Sequence, residues 1–108
     1  MNKINYETRQ RIYSRARKEF GLHAQMVVAL EELSEAQKEI CKILRGDGSL
    51  SHLAEEIADA TIMLEQLRQF FGINPEVCEQ MDTKVARLAT RLGIRLQEED
   101  GTNEMDLR

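Results

Sequence analysis

The amino-acid sequence predicts an all-α protein, a four-helix bundle-type subunit built on a central antiparallel helical hairpin. Three observations predict it. Strong helix formers (Glu, Leu, Ala, Arg and Gln) dominate a 108-residue chain that has one Pro, six Gly and no Trp. Apolar residues recur with a period near 3.6 in four separate stretches, and no strand-like alternation of useful length interrupts them. A chain of this length makes one domain with one core, expected over residues 1–96.

The first helix is expected from a cap at Asn5 to Phe20, with Ile12, Tyr13, Ala16 and Phe20 at helical spacing and Gly21 as the stop. Its other side carries Arg9, Arg11, Arg15, Arg17 and Lys18, read as a solvated face. The second runs from about Leu22 to Arg45. Leu22, Met26, Ala29, Leu30, Leu33, Ala36, Ile40 and Leu44 form its apolar stripe, and Gly46-Asp47-Gly48-Ser49 break it. The third begins near Ser49 to Ser51 and reaches Phe71, with Leu50, Leu53, Ile57, Ala60, Leu64, Leu67 and Phe71 expected in the core. The short break makes these two helices antiparallel neighbours.

The fourth helix opens on Asn74-Pro75-Glu76, a cap, a proline whose missing N–H costs nothing there, and an acid in the positive first turn. Val77, Met81, Val85, Leu88 and Leu92 form its stripe. Residues 97–108 are polar and acidic and are expected to be a mobile tail.

Composition excludes several functions. Net charge is −4, from 19 acidic and 15 basic residues, so no general positive field recruits nucleic acid. No stretch approaches the roughly 20 apolar residues that span a bilayer, and no apolar leader is present, which makes the cytoplasm the expected location. Cys41 and Cys78 show neither CxxC spacing nor a Cys/His cluster and read as small core or boundary residues.

The chemistry is carried by a short repeat at an offset of 24 residues: Glu31-Glu32-Leu33-Ser34-Glu35-Ala36 is echoed by Glu55-Glu56-Ile57-Ala58-Asp59-Ala60. On a helix, Glu32 and Glu35 both flank the apolar stripe beside Ala29 and Ala36, and Glu56 with Asp59 takes the same angular place around Ile57. Counted outward from the break, the two pairs stand at levels that agree to about one turn. Either pair alone reads as a solvated face; together they can face one another. Four converging carboxylates repel and are costly to desolvate, so a stable arrangement calls for a cation or for partial protonation. All-oxygen ligation selects a hard ion, Mg²⁺ or Mn²⁺. Lys84, Arg87 and Arg91 stand around Val85 at the angles the acids occupy around Leu33, and bases beside a divalent metal suit a polyphosphate.

EELSE followed by EEIAD, with twenty residues between the inner acids Glu35 and Glu56, resembles the ExxE…ExxD signature of the MazG-like all-α nucleoside triphosphate pyrophosphohydrolases. Phe20-Gly21 before a helix carrying Gln25, and Lys84-x-x-Arg87 downstream, extend the resemblance over roughly residues 12 to 93. It implies that Glu32, Glu35, Glu56 and Asp59 hold magnesium and form the catalytic centre, that Lys84 and Arg87 contact phosphates, and that Gln25 approaches the nucleotide. It also implies cleavage of a nucleoside triphosphate to the monophosphate and pyrophosphate by in-line attack of water on the α-phosphorus, in a homo-oligomer, dimer or tetramer. Two other readings stand beside it: a non-catalytic helical module that binds a partner helix, and a phosphoribosyl-ATP pyrophosphohydrolase of the same superfamily.

Overall fold

In a computed structural model, residues 3–96 are described, and all regular structure among them is helical: α1 (Tyr6–Phe20), α2 (Leu22–Leu44), α3 (Leu50–Phe70) and α4 (Asn74–Arg91). The tail expected over 97–108 lies outside the described residues. The chain divides into two compact units at Ile73/Asn74, the first holding α1 to α3 and the second α4. No helix among the described residues is long and apolar enough to cross a membrane.

Local signals set the helix ends. The Asn5 side chain accepts from Thr8 N at 2.8 Å and so satisfies a donor that the first turn of α1 leaves open. Gly21 then separates α1 from α2 at φ 89°, ψ 150°, a conformation available to glycine alone. Ser49 caps α3 by accepting from His52 N. Asn74, expected as the cap of α4, is already its first helical residue.

α2 and α3 form the expected antiparallel hairpin. As residue numbers rise along α2, those of their partners on α3 fall: Gln25 donates to Gln66 at 2.7 Å, Glu32 meets Asp59, and Glu39 near the far end accepts from Ser49 N at 3.0 Å. The turn between them is tight. A Cβ at Gly48 would lie 2.5 Å from Ile43 Cγ1 and 2.7 Å from Ile43 N, so only glycine fits there.

The face that the two helices bury against each other is only partly the expected one: Ala29, Ala36 and Ala60 of the expected stripes lie on it, and most of the larger apolar residues do not. The row on α2 is Gln25, Ala29, Glu32, Ala36 and Glu39, and the row on α3 is Glu56, Ala60, Met63 and Gln66, all buried or half-buried. The leucines expected inside are outside: Leu30, Leu44 and Leu50 are 69%, 82% and 76% exposed, whereas Ala29 and Ala60 are at 3% and 7%. Periodicity tells which residues share a side of a helix but not which side a neighbour covers. Small alanines let the axes come close, and buried Gln25, Gln66 and Glu39 are each hydrogen-bonded, so a partly polar seam is tolerated. At about 100° per residue the leucine row stands slightly more than a quarter turn from the seam on each helix. Because the helices are antiparallel, both rows emerge on the same side of the hairpin, where Met26, Leu30, Ile40, Ile57, Leu64 and Phe71 are all exposed.

α1 packs on both helices of the hairpin. Tyr13 is its buried residue, while Ile12 and Phe20, expected in the core, are exposed. Gln69 Nε2 donates to Gln10 O at 2.8 Å, and the Arg17 guanidinium stands 5.7 Å from the centre of the Phe70 ring. In the second unit Ala89 is buried and Val77 half-buried, and Met81, Val85, Leu88 and Leu92 are exposed. Cys41 is exposed and Cys78 half-buried.

Candidate metal centre

The repeat delivers its acids to one level of the hairpin. Glu32 on α2 and Glu56 with Asp59 on α3 each bring a carboxylate oxygen into a group whose members all lie within 4.8 Å of one another. Glu32 and Glu56 are half-buried and Asp59 is exposed, so the group sits at the margin of the seam, open on one side to solvent. It stands on the side of the hairpin opposite the leucine rows, by the same 100° count. Beside it Val28, Ile62 and Met63 complete a hollow of about 200 Å³ whose acidic walls are Glu32 and Asp59.

The electrostatics bear the mark of this crowding. The Glu32 carboxyl is held above the usual range, first by removal from water, then by the charges of Asp59 and Glu56, by a hydrogen bond with Asp59, and by the charge of Glu35. Like charges this close favour either a retained proton or a bound cation. The donor set is all oxygen, which fits a hard divalent ion.

Of the four acids expected to converge, three do. Glu35 lies outside the group, although its charge reaches Glu32. The reason is angular: Ala36, one residue on, continues the seam row from Glu32, which turns Glu35 away from it, and its side chain is exposed. Gln25 is buried, and its amide donates to Gln66 Oε1 at 2.7 Å while Gln66 Nε2 approaches Met63 Sδ at 3.3 Å, so its polar group is engaged inside the hairpin. Lys84 and Arg87 share one side of α4 with Thr90 and Arg91, and together the four line a cationic groove on that helix.

Val28 and Ile62 were not singled out by the sequence as site residues. Both are apolar residues off the main stripe of their helix, and an off-stripe apolar residue is the signal that could have found them. Glu65, which holds Tyr13, carried no such signal, because a lone acid on an amphipathic helix looks like solvated surface. No family model matches this chain, and neither a curated protein nor a solved structure matches it.

Proposed function

We propose that this chain is a magnesium-dependent nucleoside triphosphate pyrophosphohydrolase that acts on dissolved nucleotides in the cytoplasm and releases the monophosphate and pyrophosphate. The observation that carries the reading is the convergence of Glu32, Glu56 and Asp59 from two helices upon one point. Three carboxylates crowded together from two helices, with the Glu32 carboxyl held above its usual range by the other two and by removal from water, are a fitting seat for a divalent ion. Mg²⁺, with Mn²⁺ as the alternative ion, would supply Lewis acidity toward an attacking water and neutralise phosphate charge. The three carboxylates would hold and orient it, and Glu35 adds negative charge at the margin, where it can adjust a ligand's basicity or accept a proton from water. Lys84 and Arg87 offer the cationic row that phosphate oxygens need. The resemblance of EELSE and EEIAD to the MazG-like signature supports the same reading.

The leucine side supports a homo-oligomer, in which two hairpins press their exposed rows together. The four-helix bundle is then completed between copies. The same exposed rows are the observation that favours the second reading, a non-catalytic module that binds a foreign helix. Titration with Mg²⁺ separates the two, since a module has no use for a tight ion site.

The test is pyrophosphate release from a nucleotide panel, phosphoribosyl-ATP included, with Mg²⁺. Asp59→Asn is expected to lower kcat/KM by roughly 100-fold or more, beyond what loss of an outer hydrogen-bond partner of a metal costs, and Glu35→Gln by less. Equal release by wild type and Asp59→Asn would remove the catalytic assignment.

A further inference from the structure

A larger hollow, of about 480 Å³, lies between α1 and α3. Ile12, Ala58, Thr61 and Ile62 make its walls mostly apolar, and Tyr13, Glu65 and Arg9 set a polar group into them. The buried Tyr13 phenol donates to Glu65 Oε1, and Arg9 Nη1 stands 3.6 Å from the same oxygen. Burial, then the hydrogen bond and charge of Glu65, hold the phenol well above the usual tyrosine range, so it stays a donor at any ordinary pH. A carboxylate has about four lone-pair sites. Glu65 keeps 29% of its side chain exposed, which leaves acceptor capacity for a ligand in the hollow.

This hollow neighbours the acidic one, and Ile62 lines both. On α3, Asp59, Ile62 and Glu65 follow at intervals of three residues, so Glu65 stands about 9 Å along the axis from Asp59. A ligand lying over Ile62 would therefore place an anionic, metal-binding end at the trio and a flat apolar end between α1 and α3, with a polar edge reaching Glu65. A nucleotide has this division of chemistry.

We propose that the hollow between α1 and α3 is the nucleobase pocket, in which Ile12, Ala58 and Ile62 pack the ring and Glu65 reads its edge, selecting bases with adjacent N–H groups, as guanine has. The assignment rests on the reading of the trio as the phosphate end of the site. Tyr13 and Arg9 act as positioning residues that hold Glu65. Hypoxanthine, which lacks the 2-amino group of guanine, loses one hydrogen bond to a charged acceptor and should bind about tenfold more weakly.

Methyl NMR of the full chain with Mg²⁺ tests this, using guanosine 5′-monophosphate and inosine 5′-monophosphate as probes. The guanosine probe is expected to shift the Ala58, Thr61 and Ile62 methyl signals saturably, at about one tenth of the concentration the inosine probe needs. Ala58→Trp fills the hollow from an exposed position without replacing an acid and should abolish these shifts. Glu65→Gln should bring the two probes to equal affinity; since it also alters the partner of a buried phenol, Ala58→Trp decides the matter if Glu65→Gln does not fold. Pyrophosphate release from GTP and the other triphosphates is measured on the same samples. Release without methyl shifts overturns the pocket and leaves the hydrolase reading standing. Shifts without release from any triphosphate uphold the pocket and overturn the hydrolase reading.

Discussion

The two sides of the hairpin are made from the same two helices and do opposite things. The seam between α2 and α3 is narrow, rich in alanine and partly polar, and it carries the acidic trio at its margin, midway along its length. The outer side is broad, leucine-rich and exposed. In a chain that worked alone the leucines would be expected inward and the glutamates outward. On both helices the more hydrophobic row is left largely exposed, while the weaker row, with its small side chains, closes the hairpin and carries the carboxylates.

Charging the outer side is the strongest way to break this comparison. Leu30→Glu with Leu64→Glu is expected to abolish self-association outright, read by light scattering, while the helix content of the full chain barely changes, because neither side chain is buried within one chain. Unchanged mass would mean that the leucine side is not an interface between copies.

The seam should answer to metal. The raised Glu32 carboxyl means that the fold favours its protonated form, so this group's contribution to stability is present below the ordinary carboxylate range and is lost as pH rises through it. Metal-free protein should therefore soften between acidic and neutral pH. Mg²⁺ at a hundred times its Kd should restore about 2.7 kcal/mol at pH 7.5, seen as a rise in Tm, with a much smaller rise near pH 4. Glu32→Gln should flatten the pH dependence and remove most of the Mg²⁺ response. A Tm at neutral pH that ignores Mg²⁺ would break the link between seam and ion.

Gln66→Leu sharpens the comparison at the buried end of the seam. It leaves the Gln25 amide without its partner, at a cost of about 1–3 kcal/mol by chemical denaturation. If the loss is negligible, the polar seam is not what closes the hairpin there. The smallest effect expected is that of Ser49→Ala, about 1 kcal/mol from the lost cap of α3.

These contrasts also show what could be read before any coordinates. Helix number, ends and the hairpin followed from capping residues, glycine breaks and a short turn, which are local properties. The pairing of Glu32 with Glu56 and Asp59 followed from the repeat together with the place of the break, because counting outward from the turn sets the levels on antiparallel neighbours. Which row would be buried did not follow, since that depends on the rotation of one helix about its axis, and a sequence with two adjacent usable rows leaves the rotation open. Glu35 was misplaced by the same ambiguity: it differs from Glu32 by about 60° of rotation. The Tyr13–Glu65 pair joins α1 to α3 across 52 residues and leaves no periodic trace.

The turn at Gly48 sits eight residues before Glu56, yet it governs whether the acids meet. Its backbone is wedged against Ile43, and the next amide, Ser49 N–H, is fastened to the Glu39 carboxylate, so α3 starts at one height and one angle. Slipping the strand of numbering by a single residue would swing every side chain of α3 by about 100° and lift it 1.5 Å, carrying Asp59 away from Glu32. A side chain introduced at Gly48 would thus be felt as a detuned ion site as well as a looser corner: a spacer of a few atoms acts as the gauge block against which the chemistry is set.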